Sequence, residues 1–171
     1  MISRAGTWMT AAVVAALGAG CAWYGGSSLR PGTSSAAEIE ATMGKPAEKL
    51  PGPGGESVWY YPRGPLGWHS YAVRVGPDGI LRGIEQRLTV ENVKKIQPDK
   101  TTAKEVRELL GPPSSVSRLP LKPREVWEYQ FLEVEFKWNL WVQISPDGVV
   151  REVLQMRHPE MDPPSDSSSH P

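Results

Sequence analysis

The sequence predicts a mixed α+β protein made of two tandem helix-β-β-β units, an antiparallel sheet carrying short helices on one face. Three observations predict it. The stretch VGPDGILRGIEQR at residues 75–87 returns as ISPDGVVREVLQM at residues 144–156. A helix-like segment, SAAEIEATMGKP, returns as TAKEVRELLGPP. Between these landmarks, each copy holds a run with aromatic residues at every second position, the spacing of a half-buried strand.

The helices come first. Ser35 followed by Glu38, and Thr102 followed by Glu105, are capping boxes in which side-chain oxygens satisfy the free amides of a first helical turn. Ile39 and Met43 form an apolar i, i+4 stripe, matched by Val106, Leu109 and Leu110. Gly44 then Pro46, and Gly111 then Pro113, stop the two helices. The offset between the copies is 67 residues here, as Ser35 and Thr102 give it.

Each helix is followed by a segment that reads as a loop, AEKLPGPGGE in the first copy and SSVSRLPLK in the second. The strands follow. Trp59 and Tyr61 share one face of SVWYY, and Trp127, Tyr129 and Phe131 share one face of EVWEYQF. Tyr71, Val73 and Val75 correspond to Leu140, Val142 and Ile144 in the next strand. From Phe136 through Trp138 to Ile144, the alternate residues are all apolar and are expected to face the helices. The tripeptides Pro77-Asp78-Gly79 and Pro146-Asp147-Gly148 then turn the chain, proline presetting the first position and glycine taking the left-handed one. A third strand carries Arg82 and Gln86 in one copy, Arg151 and Gln155 in the other, which read as solvated positions. Between the copies, a short extra helix is expected over residues 90–96 behind the cap Thr89. Three strands and one helix bury little apolar surface, so the two copies are expected to share one core.

The ends read differently. Residues 1–20 carry one early charge, Arg4, then an apolar run over 7–17 and small residues before Cys21, the pattern of an export signal too short to span a bilayer. The approach to Cys21 resembles the bacterial lipobox, with Leu17 four residues before the cysteine where that motif has leucine at three. The resemblance implies lipidation of Cys21 after cleavage and, with Ala22 following, an outer-membrane location facing the periplasm. Residues 21–30 are Gly/Ser-rich and suit a flexible tether. The units then span residues 31–88 and 89–157, and residues 158–171 form a Pro/Ser-rich tail expected to be disordered.

Composition bounds the chemistry. The 171 residues hold 19 Lys+Arg against 19 Asp+Glu, so nothing draws the chain to nucleic acid. His69, His158 and His170 have no metal-ligand spacing with one another or with the single cysteine. Nucleophile-elbow, zincin and P-loop patterns are absent. GPGG at residues 52–55 precedes no helix and reads as a loop rather than a phosphate cradle. Asp78 and Asp147 recur but are each explained by their turns. The expectation is a binding module, not an enzyme, with no cofactor and no small-molecule substrate evident.

The candidate binding residues are those that break the core pattern. Trp141 stands on the face of its strand that otherwise reads Lys137, Asn139 and Gln143, and Tyr60 lies opposite Trp59 and Tyr61. The helix-free sheet face bearing Tyr60, Arg74, Lys137, Trp141 and Gln143 is therefore expected to dock another envelope protein, since burying one aromatic on a partner can contribute ~2 kcal/mol or more.

The ordered series of capped helix, G-x-P stop, W-x-Y strand and D-G hairpin resembles the SmpA/OmlA (BamE-type) outer-membrane lipoprotein family, within the β-lactamase-inhibitor-protein-like superfamily. Gly44, Pro46, Trp59, Tyr61, Asp78 and Gly79 carry the likeness, and again Gly111, Pro113, Trp127, Tyr129, Asp147 and Gly148. Where that family opens its helix with a G-M-T-like triplet, the copies here have Gly32-Thr33-Ser34 and Asp99-Lys100-Thr101. The resemblance implies a scaffold at the outer membrane, serving assembly of outer-membrane proteins. Two other readings stay open: an inhibitor of a periplasmic or secreted enzyme, using the loop at residues 62–68 as a plug, and a lipid- or peptidoglycan-binding envelope lipoprotein.

Overall fold

A computed structural model describes residues 26–63 and 68–158. The protein is mixed α+β, with two antiparallel four-stranded sheets and a few short helices. In the first half, α1 (Ala36–Met43) precedes β1 (Glu48–Pro51), β2 (Ser57–Arg63), β3 (His69–Val75) and β4 (Leu81–Gln86), which pair in that order. In the second, α2 (Val90–Val93) and α3 (Ala103–Leu110) precede β5 (Ser115–Arg118), β6 (Glu125–Glu133), β7 (Phe136–Ile144) and β8 (Val150–Arg157), again paired in sequence order.

Both long helices start as the capping boxes predict. The Ser35 hydroxyl accepts from the Glu38 amide at 3.3 Å and the Glu38 carboxylate accepts from the Ser35 amide at 2.7 Å. Thr102 and Glu105 repeat this at 3.3 and 2.7 Å. Gly44 and Gly111 end the helices at φ of 79° and 85°, a left-handed backbone that favours glycine. In each half the helix start is then stitched to the Pro-Asp-Gly turn: the Ala36 amide donates to the Gly79 carbonyl and the Ala103 amide to the Gly148 carbonyl, both at 2.8 Å. Arg82 and Arg151 brace those turns by pairing with Asp78 and Asp147, and Arg151 also reaches Asp99 at 2.8 Å.

The structure corrects several expectations. Each segment read as a loop contains a fourth, edge strand, β1 in the first and β5 in the second. Both are four residues long; β5 is exposed throughout and β1 half-buries only Glu48 and Leu50, so neither carries an apolar alternation. The copies do not share a core. Ile39, Met43, Trp59, Tyr61, Val73, Val75 and Leu81 form one cluster, and Val106, Leu110, Trp127, Tyr129, Phe131, Leu140, Val142 and Val150 form another. In the first half Leu29, and in the second the linker residues Leu88, Val93 and Ile96, supply apolar surface beyond that of the helix and strands. The linker helix ends at Val93, a turn earlier than expected, with Ile96 buried beyond it. Phe136, the first residue of β7, is 41 % exposed because it stands beside the β6–β7 turn, paired with Glu133. Leu29, expected in the tether, is packed into the first core, and the Leu29 amide donates to the Gly26 carbonyl in a turn. His158, expected in the tail, still donates its amide to the Lys137 carbonyl at 2.8 Å. The remainder of the tail lies outside the described residues.

The halves meet back to front. β2 and β3 turn Trp59, Tyr61 and Val73 toward α1, and Val58, Tyr60 and Ala72 toward the other face, where they form a small apolar cluster with Leu50. That back face lies against the end of α3: a Cβ added at Gly111 would come within 2.8 Å of both the Tyr60 ring and the Ser70 hydroxyl. The Arg107–Glu48 pair, 2.9 Å, spans the same junction. Thus α3 serves the second core with Val106 and Leu110 and supports the first sheet with Arg107 and Gly111.

Candidate docking surface

The five residues expected on one surface are divided by the two sheets. Tyr60 and Arg74 stand on the back of the first sheet, which the second half covers in part. Tyr60 is only 2 % exposed, and its burial raises its hydroxyl pKa. It is a residue of the junction and not of a free face, so its expected role is corrected. Arg74 is half-buried between Glu56 and Glu85. Period-two spacing identified which face these residues occupy, but not what packs on that face. Cys21 lies outside the described residues, as do residues 64–67 of the proposed plug loop.

Lys137, Trp141 and Gln143 do come together, on the helix-free face of the second sheet. The pairing register builds that face row by row. Trp141 is flanked by Glu128 on β6 and Leu154 on β8, Asn139 by Gln130 and Met156, and Lys137 by Leu132. Trp141 is half-buried, while Leu132, Leu154 and Met156 are 37, 46 and 60 % exposed. The result is an apolar strip of Trp141, Leu154 and Met156 across β7 and β8, with Leu132 set apart beside Lys137, presented on a regular, hydrogen-bonded backbone.

Polar groups close the strip at both ends. At one, Arg124 donates to the Gln143 side chain at 3.2 Å and lies 3.6 Å from Glu152, which leaves Gln143 buried. At the other, the Lys137 ammonium lies 5.2 Å from the centre of the Trp68 ring, which meets the His158 ring edge-on at 5.5 Å. An apolar centre with a polar rim is the anatomy of a protein interface. Gln143 and Lys137 therefore frame the strip and Trp141 sits within it.

The sequence reading missed Leu154, Met156 and Leu132. The first two alternate along β8 in phase with Trp141, so the signal was present in VVREVLQM once the register was known. Beside them, Val134 begins the β6–β7 turn at φ 56° and is 86 % exposed. A β-branched residue in the left-handed region is uncommon and costs conformational energy, here at the apolar tip of the β6–β7 hairpin.

Among the described residues no cluster of three or more His, Cys, Asp or Glu could hold a metal ion, and no helix is long and apolar enough to cross a membrane. No family model matches the chain, and no curated protein does. Among solved structures, a DUF4309 family protein (YjgB) from Bacillus subtilis is similar at 18 % identity and a TM-score of 0.32, over 76 % of this chain and 82 % of that one.

Proposed function

We propose that the chain is a lipid-anchored binding scaffold of the outer membrane, facing the periplasm, which docks another envelope protein through the helix-free face of its second sheet. In this reading Cys21 carries the acyl chains, the two halves are tandem helix-β-β-β repeats of the SmpA/OmlA type, each extended by an edge strand, and the process served is assembly of outer-membrane proteins. The function is binding and not catalysis.

The observation that carries the proposal is the row containing Trp141 and Leu154, with Met156 next along β8. Contiguous exposed apolar residues with a polar rim mark interaction sites on soluble surfaces. Tryptophan at the centre of such a strip is the residue type whose loss weakens interfaces most. The duplicated caps and turns support the repeat reading, because both halves tie the helix start to the Pro-Asp-Gly turn through the same backbone bond.

A photo-crosslinking residue placed at Met156 tests this in intact cells, with Leu121, 97 % exposed and away from the strip, as control. The expected result is a discrete adduct with an envelope protein from position 156 and none from 121, lost in Trp141→Ala. Equal labelling from both positions, or an adduct indifferent to Trp141→Ala, would falsify the docking face. Intact mass of the mature protein tests the anchor, an unmodified cysteine ruling it out.

A further inference from the structure

The junction between the halves encloses a cleft of about 810 Å³, with Leu50, Val58 and Tyr60 from the back of the first sheet on one side and α3 on the other. We propose that this cleft binds a small carboxylate amphiphile, its head group on Arg74 and Arg87 and its hydrocarbon body along Leu50 and Val58. The site is separate from the Trp141 strip and adds a ligand to the docking reading.

The two guanidinium groups are short of acceptors. Arg74 lies 3.6 Å from Glu56 and 3.6 Å from Glu85, both beyond hydrogen-bond distance, and its buried Nε has no hydrogen-bond partner among the described residues. Arg87 approaches the other oxygen of the same Glu85 at 3.0 Å, and its Nε is likewise buried without a partner. Two half-buried cations thus converge on one carboxylate. Guanidinium groups bind a planar carboxylate with two parallel N–H bonds.

Shape points to the ligand more than net charge does. Arg74, Arg87, Lys95, Lys104 and Arg107 line the cleft with Glu85, Glu105 and Glu108, while Glu56 and Glu48 pair with Arg74 and Arg107 from beside it, so the head group is selected by the convergence of Arg74 and Arg87. The register puts Val58 directly beside Arg74 and on the same face, so an apolar body lies next to a charged head. Clefts between packed units, with apolar walls and a few convergent polar groups, are where small molecules bind.

Calorimetric titration of the full chain with dodecanoate, below its micelle concentration, tests the site. Dodecyltrimethylammonium and acetate isolate the head group and the tail. The expected result is one dodecanoate per chain, no binding of the cation, and acetate weaker by at least tenfold. Arg74→Gln and Arg87→Gln, each checked for fold by circular dichroism, are expected to weaken dodecanoate about tenfold or more. Trp141→Ala is expected to leave it unchanged. Equal binding of anionic and cationic amphiphiles, or absence of dodecanoate binding, overturns the proposal without recourse to any variant. Folded Arg74→Gln and Arg87→Gln chains that both retain wild-type affinity overturn it as well.

Discussion

Gly111 lies against the Tyr60 ring so closely that a Cβ on it would fall 2.8 Å from Tyr60 Cδ1. Its carbonyl meanwhile accepts the Tyr129 hydroxyl at 3.1 Å. One glycine therefore ends α3, receives a buried tyrosine of its own half and seats a buried tyrosine of the other.

This arrangement separates two glycines that look alike in sequence. Gly44 and Gly111 share a left-handed backbone, but nothing lies within 4 Å of a Cβ at Gly44. Gly44→Ala is expected to cost about 1 kcal/mol for the backbone alone. Gly111→Ala should cost roughly 1–3 kcal/mol more, from the added clash with Tyr60 and Ser70. Chemical unfolding of both variants measures the difference, and equal losses would remove the junction from the account.

The Arg107–Glu48 pair links residues 59 apart in sequence, and the guanidinium also lies 5.4 Å from the Trp127 ring centre. A double-mutant cycle with Arg107→Ala and Glu48→Ala is expected to give a coupling of about 0.5–1 kcal/mol, reduced by salt, because both groups are partly solvated. Zero coupling at low salt would mean the pair does not help to hold the halves together.

Separate cores make a further demand. Leu81→Ala and Leu140→Ala each empty a fully buried position, one in each cluster, and should each cost about 2–5 kcal/mol. Residues that share no partners add to within about 0.5 kcal/mol, so the double variant is expected to lose the sum. Marked non-additivity would point to a common interior.

Acid acts through the turns and caps. The Asp147 carboxyl is held below its ordinary pKa by the Ser145 hydroxyl, and Asp78 by the Ile80 amide. Glu38 and Glu105 are lowered by the amides of Ser35 and Thr102. Depressed carboxyl groups contribute stability that is present above their unfolded values of 3.8 and 4.5 and is lost as pH falls through the lower folded values. The midpoint temperature is therefore expected to fall modestly below about pH 4, because all four groups are solvent-exposed. In Asp147→Asn it should start lower at neutral pH and fall less steeply; an unchanged slope would free Asp147 of that role.

How much of this was legible depended on whether a feature was local. Capping boxes, glycine stops and Pro-Asp-Gly turns are set by neighbours in sequence, and Ser35, Thr102, Gly44 and Gly111 stand where the letters put them. The edge strands were not legible because residues 115–118 are exposed throughout, and β1 half-buries only Glu48 and Leu50, against a neighbour from the other half and the back of its own sheet. Tyr60 was placed on the correct face of its strand, yet the face is covered by a helix from the other half. No periodicity within SVWYY could announce that neighbour. Trp141 was read from its own strand, while Leu154 joined it only through pairing with β8.

The use of α3 by both halves also fixes an order of dependence along the chain. The trailing half carries its helices with it and closes its own interior. The leading half, as it leaves the ribosome, has α1 on its front but a bare rear at Val58, Tyr60 and Ala72. That greasy flank waits for a segment not yet made, so the newborn chain passes through a sticky stage which its finished form conceals.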